Sequence, residues 1–122
     1  EVLAEYDPES RGGDPADGRK VKGATIHWVD AATAVDAEIR LYDNLFSDAD
    51  PDGGDKNFLD CLNPNSLEVL SGAKVEACLA DAQAPASFQF LRQGYFVVDK
   101  DSTQDRLVFN RTVELKGSYK PE

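Results

Sequence analysis

Two stretches of this 122-residue chain gather side chains that could do chemistry. The first is Asp48-Ala49-Asp50-Pro51-Asp52-Gly53, the opening half of a calcium loop of the form D-x-D-x-D-G. A hard Ca²⁺ ion takes several carboxylate oxygens around a tight glycine turn, so the residue types suit it. The second half fails: the bidentate Glu belongs where Leu59 stands, and Pro51 interrupts the loop. A solvated acidic loop is the plainer reading. The second stretch is Ser87-Phe88-Gln89-Phe90-Leu91-Arg92-Gln93-Gly94-Tyr95-Phe96. On a strand, alternation sets Phe88 and Phe90 on one face and Gln89 and Leu91 on the other. The Gln89 amide carries both a donor and an acceptor, which suits the edge of an unstacked base. The fork of Arg92, at a turn, can pair a guanine edge or a phosphate bidentately. Composition alone leaves a solvated Gln and a surface Arg as the alternative.

The remaining candidates are weaker. Cys61 and Cys78 are the only cysteines and His27 the only histidine. Without a carboxylate they cannot complete a four-ligand zinc site. Two reduced, half-buried thiols are the ordinary reading, with a disulfide as the alternative. His27 has no Ser or Cys at motif spacing, and nucleophilic catalysis needs a base oriented by a third group. Beside Trp28 it reads as structural. Loop carboxylates are plentiful, but a working acid needs a buried, tuned pKa. No GxxxxGK[ST] or GxGxxG loop is present, and Arg11-Gly12-Gly13-Asp14 is a turn with no helix signal after it. The residues thus point to no catalytic group, no metal site and no nucleotide site.

Length and composition fit one domain with one core, since hydrophobic residues make up 41%. No apolar run approaches the roughly 18 residues of a membrane span. Residues 1–9 hold four acidic groups and no basic n-region, so no signal peptide is visible. The lack of any Met, and a start at Glu1 inside an apparent strand, lead to the expectation of a fragment. Net charge is −10, which argues against a polyanionic partner until its distribution is considered. Residues 1–42 carry a net −4, residues 43–81 a net −7, and residues 82–122 a net +1. Only the final third approaches a phosphate backbone without penalty.

The elements that must position Gln89 and Arg92 read as short strands. Val2–Tyr6 resembles a strand end, and Asp7–Gly18 an exposed loop. Val21–Val29 and Val35–Tyr42 read as strands, the latter with Val35, Ala37, Ile39 and Leu41 on one face. Asp30–Thr33 reads as a turn. Phe58–Leu62 suits one helical turn, stopped before Pro64. Ser66–Leu70 and Ala73–Glu76 suggest two strands about a Ser71-Gly72 turn. Ala77–Ala80 suggests a helical turn. Ser87–Arg92 and Tyr95–Val98 flank Gln93-Gly94 as a hairpin, and Leu107–Leu115 is a last strand. No stretch of 12 residues holds a helical period, so the expected fold is mainly β, a barrel or a sandwich.

Several landmarks then fall into one order and spacing. They are Asp17-Gly-Arg-Lys-Val-Lys-Gly23, Ile26-His-Trp-Val29, Glu38-Ile-Arg-Leu-Tyr-Asp43 with Leu45-Phe46, Asn63-Pro64 with Ser66-Leu67, Phe88-Gln-Phe90 with Arg92 and Gly94-Tyr-Phe96, and Phe109-Asn-Arg-Thr-Val113. From about Tyr6 to Tyr119 the chain resembles the C-terminal part of bacterial glutaminyl-tRNA synthetases, which are class I aminoacyl-tRNA synthetases. The resemblance implies an antiparallel β-barrel of the ribosomal-protein-L25-like type, with short helical turns. Residues 1–122 would form one anticodon-binding region, mostly the barrel nearer the catalytic core, with residues 1–20 contributing to a distal barrel. The Rossmann catalytic domain, with its ATP and Mg²⁺, would lie elsewhere in the parent, and this region would hold no cofactor.

The same resemblance implies site roles. Gln89 and Arg92 match family residues that contact the middle and third anticodon bases, and Ser118 falls at a family Thr lining the same region. Leu91 departs from relatives that carry an orienting acid between the Gln and the Arg. The ribbon matched by Asp48–Asn65 reaches toward the catalytic domain. The implied partners are the tRNA(Gln) anticodon loop and the parent's own N-terminal catalytic domain, in a cytoplasmic monomer without a membrane. Lys100, Arg106, Arg111, Lys116 and Lys120 are candidates for phosphate contacts. Two competing readings are an acidic protein-interaction barrel and the homologous domain of a glutamyl-tRNA synthetase.

Overall fold

The computed structural model describes residues 3–11, 13–23 and 26–115. Five strands form one sheet: β1 (Val35–Tyr42), β2 (Leu67–Val75), β3 (Ser87–Phe90), β4 (Gly94–Val98) and β5 (Leu107–Val113), in the spatial order β2-β1-β5-β4-β3. The only helical pieces among the described residues are 3-10 turns at Pro8–Ser10, Phe58–Cys61 and Ala77–Leu79. The mainly β expectation therefore holds. Two details differ from an all-antiparallel closed barrel. β1 and β5 run parallel, in the register Ala37↔Leu107 to Arg40↔Asn110. No described strand links β3 back to β2.

Alternation explains which face is buried. Ala37 and Ile39 of β1, Phe96 and Val98 of β4, and Leu107 and Phe109 of β5 share one core with Val75 and Leu79. Both edge strands contribute to it, through Val75 from β2 and Phe88 and Phe90 from β3. The sheet must therefore curl around a single interior. Between its two outer strands lies a cleft of about 500 Å³, lined by Leu70 on one side and by Phe88, Gln89 and Phe90 on the other.

Ser71-Gly72 forms no turn. β2 runs through it as one strand, and the pairing steps from Ala37↔Ala73 to Ile39↔Leu70. Two residues of β2 thus oppose Glu38 alone, a bulge in which Gly72 takes φ 80°. Leu3–Tyr6 and Ile26–Val29 belong to no strand, although both were expected to. Alternation survives in the second: His27 and Val29 line the cleft, while Trp28 is 76% exposed. The period is present, but no edge among the described residues pairs with it. The first has its Leu3 and Tyr6 exposed.

Beyond β1 and β2 the chain continues as a ribbon. Asp43 N–H donates to Ser66 O (2.9 Å), Asn63 N–H to Leu45 O (2.8 Å) and Ser47 N–H to Cys61 O (2.9 Å). The expected helical turn sits in the returning arm, where the Asn57 side chain accepts from Leu59 N–H. The acidic loop closes the ribbon's far end. Asp48 there pairs with Lys56 at 2.6 Å and accepts Asp50 N–H at 2.9 Å.

A charged network on the outer face ties β1 to the loop before β5. Arg40 donates to Glu38 at 2.9 Å and to Asp101 at 3.0 Å, and Arg106 pairs with the same Glu38. Asn110 donates to Asp99. The bond from Arg106, and then that from Arg40, hold the Glu38 carboxyl below its ordinary value. Asp99 is lowered first by the Asp101 N–H and then by Asn110. A carboxyl lowered in the folded chain takes up a proton more readily once unfolded. Its contribution is complete above the ordinary carboxylate range, near pH 4, and is lost as pH falls through the lowered values. Urea midpoints should therefore drop between roughly pH 5 and pH 3, and less steeply in Glu38→Gln. Parallel curves for the two proteins would refute this assignment.

Candidate nucleic-acid interface

The β3–β4 hairpin presents the candidate base readers, and its inner side fixes it in place. Phe90 stacks on Phe96 with ring centroids 4.5 Å apart and meets Phe109 edge-on at 5.3 Å. Phe88 meets Phe109 edge-on at 6.3 Å. Such aromatic pairs add stability beyond the area they bury. Gln89 lies between the two anchored rings in sequence and is exposed, on the face opposite to them. The expected alternation is observed over Phe88, Gln89 and Phe90, whereas Leu91 lies in the turn, and both Gln89 and Leu91 border the cleft.

The turn is displaced from the expected position. It comprises Leu91-Arg92-Gln93, closed by Gln93 N–H donating to Phe90 O at 2.9 Å, with Phe90 paired to Gly94. Arg92 sits at its centre with φ 66°, the left-handed region, where a side chain costs about 1–2 kcal/mol. It is the one non-glycine residue with positive φ among those described. Gly94 opens β4 instead of turning the chain. Its φ is 144°, and a Cβ there would lie 2.8 Å from the Val113 carbonyl oxygen. The glycine is needed for this close approach of β4 to β5.

Arg92 is exposed and makes no ion pair among the described residues, so its fork is free for a ligand. Leu91 beside it is 62% exposed and supplies no carboxylate. Gln89 and Arg92 thus stand on one hairpin three residues apart, one on the outer face and one at the tip. Ser118, Lys116 and Lys120 lie outside the described residues. Among the other basic candidates, Arg106 is engaged by Glu38 and Arg111 by Glu114 at 2.8 Å, while Lys100 is exposed.

Sequence reasoning overlooked Tyr95. It is directly opposite Gln89 in the β3–β4 register and 44% exposed. The alternation applied to the first arm of the hairpin would have found it on the second. The other chemistry-bearing residues do not converge. His27 lies 3.9 Å from Glu76, Cys61 is half-buried and Cys78 exposed, both as free thiols. Among the described residues no group of three or more His, Cys, Asp or Glu is placed to hold a metal ion. No described helix is long and apolar enough to cross a membrane.

The curled β-sheet thus carries an exposed amide and an exposed guanidinium on one aromatic-anchored hairpin. A family model described as tRNA synthetases class I (E and Q), anti-codon binding domain, matches residues 25–99, which include the whole hairpin. The chain belongs to this family. It is 51% identical over 122 residues to a glutamine–tRNA ligase of Bradyrhizobium diazoefficiens, covering 100% of the chain and 21% of that relative. It is 56% identical over 119 residues to one of Nitrobacter hamburgensis, covering 98% of the chain and 21% of the relative. It is 56% identical over 120 residues to one of Ralstonia pickettii, covering 97% and 20%. The chain spans about a fifth of the length of these curated relatives.

Proposed function

We propose that this chain reads the anticodon loop of tRNA(Gln) as part of a glutamine–tRNA ligase, which joins glutamine to tRNA at the expense of ATP. The observation that carries the proposal is the hairpin itself. Within a matched anticodon-binding domain, Gln89 and Arg92 are two exposed polar groups set on an aromatic-anchored loop in the least acidic third of the chain. Gln89 reads the middle base and Arg92 the third, with Ser118 assisting. The named relatives favour glutamine over glutamate within a family that covers both.

The remaining partners follow from the parent enzyme that this reading implies. ATP and Mg²⁺ belong to the parent's N-terminal catalytic domain, since this chain has no phosphate-cradling loop. The ribbon of residues 43–66 reaches toward that domain. Its exposed Leu45, Phe58 and Leu59 suit a contact within the parent. Residues 1–20 contribute to a distal barrel, which would cover Leu3 and Tyr6. The parent works as a cytoplasmic monomer.

Aminoacylation by the full-length enzyme tests the reading. Gln89→Ala should lower kcat/KM for tRNA(Gln) by roughly 5- to 150-fold, the worth of one good base contact. It should have little effect on a tRNA already altered at the middle base. An equal loss on both tRNAs, or no loss on either, would overturn the assignment of Gln89.

A further inference from the structure

The hairpin carries a third group on the face that bears Gln89. In register, Gln89 of β3 is opposite Tyr95 of β4, which is opposite Val113 of β5. All three are exposed, Tyr95 at 44% and Val113 at 58%. They make a row across three strands, with the Tyr95 ring in the middle. Phe96 and Phe90 turn inward and line the cleft; Gln89, on the edge strand, borders the same cleft, and Tyr95 does not. The ring takes part in none of the aromatic pairs that join Phe88, Phe90, Phe96 and Phe109. A large aromatic side chain thus stands on a paired strand, 44% exposed and outside the aromatic pairs of the core among the described residues.

We infer that Tyr95 is the stacking platform for the base whose edge Gln89 reads. The inference rests on the anticodon-loop reading above and extends it. A base splayed out of its loop loses its stacking neighbours, and an exposed aromatic ring replaces them. Directly opposed residues of an antiparallel pair hold their Cβ atoms about 4.5–5.5 Å apart. A base lying on the Tyr95 ring therefore brings its Watson–Crick edge within reach of the Gln89 amide. The ring face accepts any base, whereas the amide chooses among them. Tyr95 supplies affinity and Gln89 supplies discrimination. Its main chain is fixed for the purpose: the Thr112 hydroxyl, at the β4–β5 irregularity, donates to the Tyr95 carbonyl at 3.1 Å.

The test titrates the full-length enzyme at low salt with an RNA hairpin of tRNA(Gln) anticodon-arm sequence, either intact or abasic at the middle anticodon position. Tyr95→Ala should weaken binding of the intact hairpin roughly 5- to 100-fold, and Tyr95→Phe by less than about twofold. The abasic hairpin should bind wild type and Tyr95→Ala alike, because the stacking partner is gone. In labelled wild-type protein, the Tyr95 ring protons should shift upfield on addition of the intact hairpin alone. If wild type binds and Tyr95→Ala binds equally well, the platform is refuted while the anticodon reading stands. The same holds if the protein and RNA changes are simply additive. If wild type binds no RNA hairpin, both readings fall together. Equal melting temperatures for the three proteins confirm that folding is not the cause of any loss.

Discussion

Phe109→Ala should destabilise the fold by about 3–5 kcal/mol, the cost of emptying a fully buried aromatic site. Phe109 is 0% exposed, and both β3 phenylalanines meet its ring edge-on, so it joins β5 to the hairpin across the interior. The cavity left behind would be bordered by side chains of β1, β4 and β5, three paired strands that cannot collapse into it without breaking register. A domain of ordinary stability holds only about 5–15 kcal/mol, so this single change removes a large part of it. Urea unfolding would read the loss directly. Val113→Ala is the control: it lies on the same strand but is 58% exposed, and should cost no more than about 0.5 kcal/mol. A loss below about 1 kcal/mol for Phe109→Ala would show that the aromatic cluster does not hold the hairpin.

What the sequence showed, and what it hid, follows from the range of each signal. β1 was read at its observed limits, because eight alternating residues carry their own period. The aromatic hairpin was visible for the same reason. Its turn was misplaced because Gln93-Gly94 looks like a turn dipeptide, whereas Gly94 is required by a carbonyl on β5, far away in sequence. Ser71-Gly72 misled in a similar way. A glycine with positive φ serves a turn or a bulge equally well, and only the strand opposite decides which. The parallel pairing of β1 with β5 joins residues some seventy apart, and no local pattern encodes it. Ile26–Val29 shows the converse, an alternating segment that finds no pairing partner among the described residues. At the site, alternation was enough to turn Gln89 outward, and it would have added Tyr95 had it been carried across the turn. The assignment of particular bases to Gln89 and Arg92 came from family resemblance, because an exposed amide and guanidinium do not declare their ligand.

Arg92 permits a sharper experiment than truncation to alanine. In the full-length enzyme, Arg92→Ala should cost roughly 1–3 kcal/mol of discrimination at the third anticodon base, measured as the ratio of kcat/KM for cognate and altered tRNA. Arg92→Gly should lose the same discrimination, since neither variant carries the fork. The two should differ in stability. The backbone at residue 92 has φ 66°, which alanine adopts with the same strain as arginine. Glycine takes that conformation without a Cβ penalty, which relieves about 1–2 kcal/mol. Against this stands the greater freedom of glycine in the unfolded chain, roughly 0.5–1 kcal/mol. Arg92→Gly should therefore be as stable as wild type, or up to about 1.5 kcal/mol more stable, while reading the anticodon worse. That combination separates a recognition residue from a turn residue. A turn residue chosen for conformation alone would be improved by glycine without loss of discrimination. If Arg92→Gly keeps full discrimination, Arg92 reads no base and the free guanidinium at the tip has another use. If discrimination falls as expected, the hairpin keeps a strained arginine where glycine would fit better, because the fork must stand at the tip to reach the base.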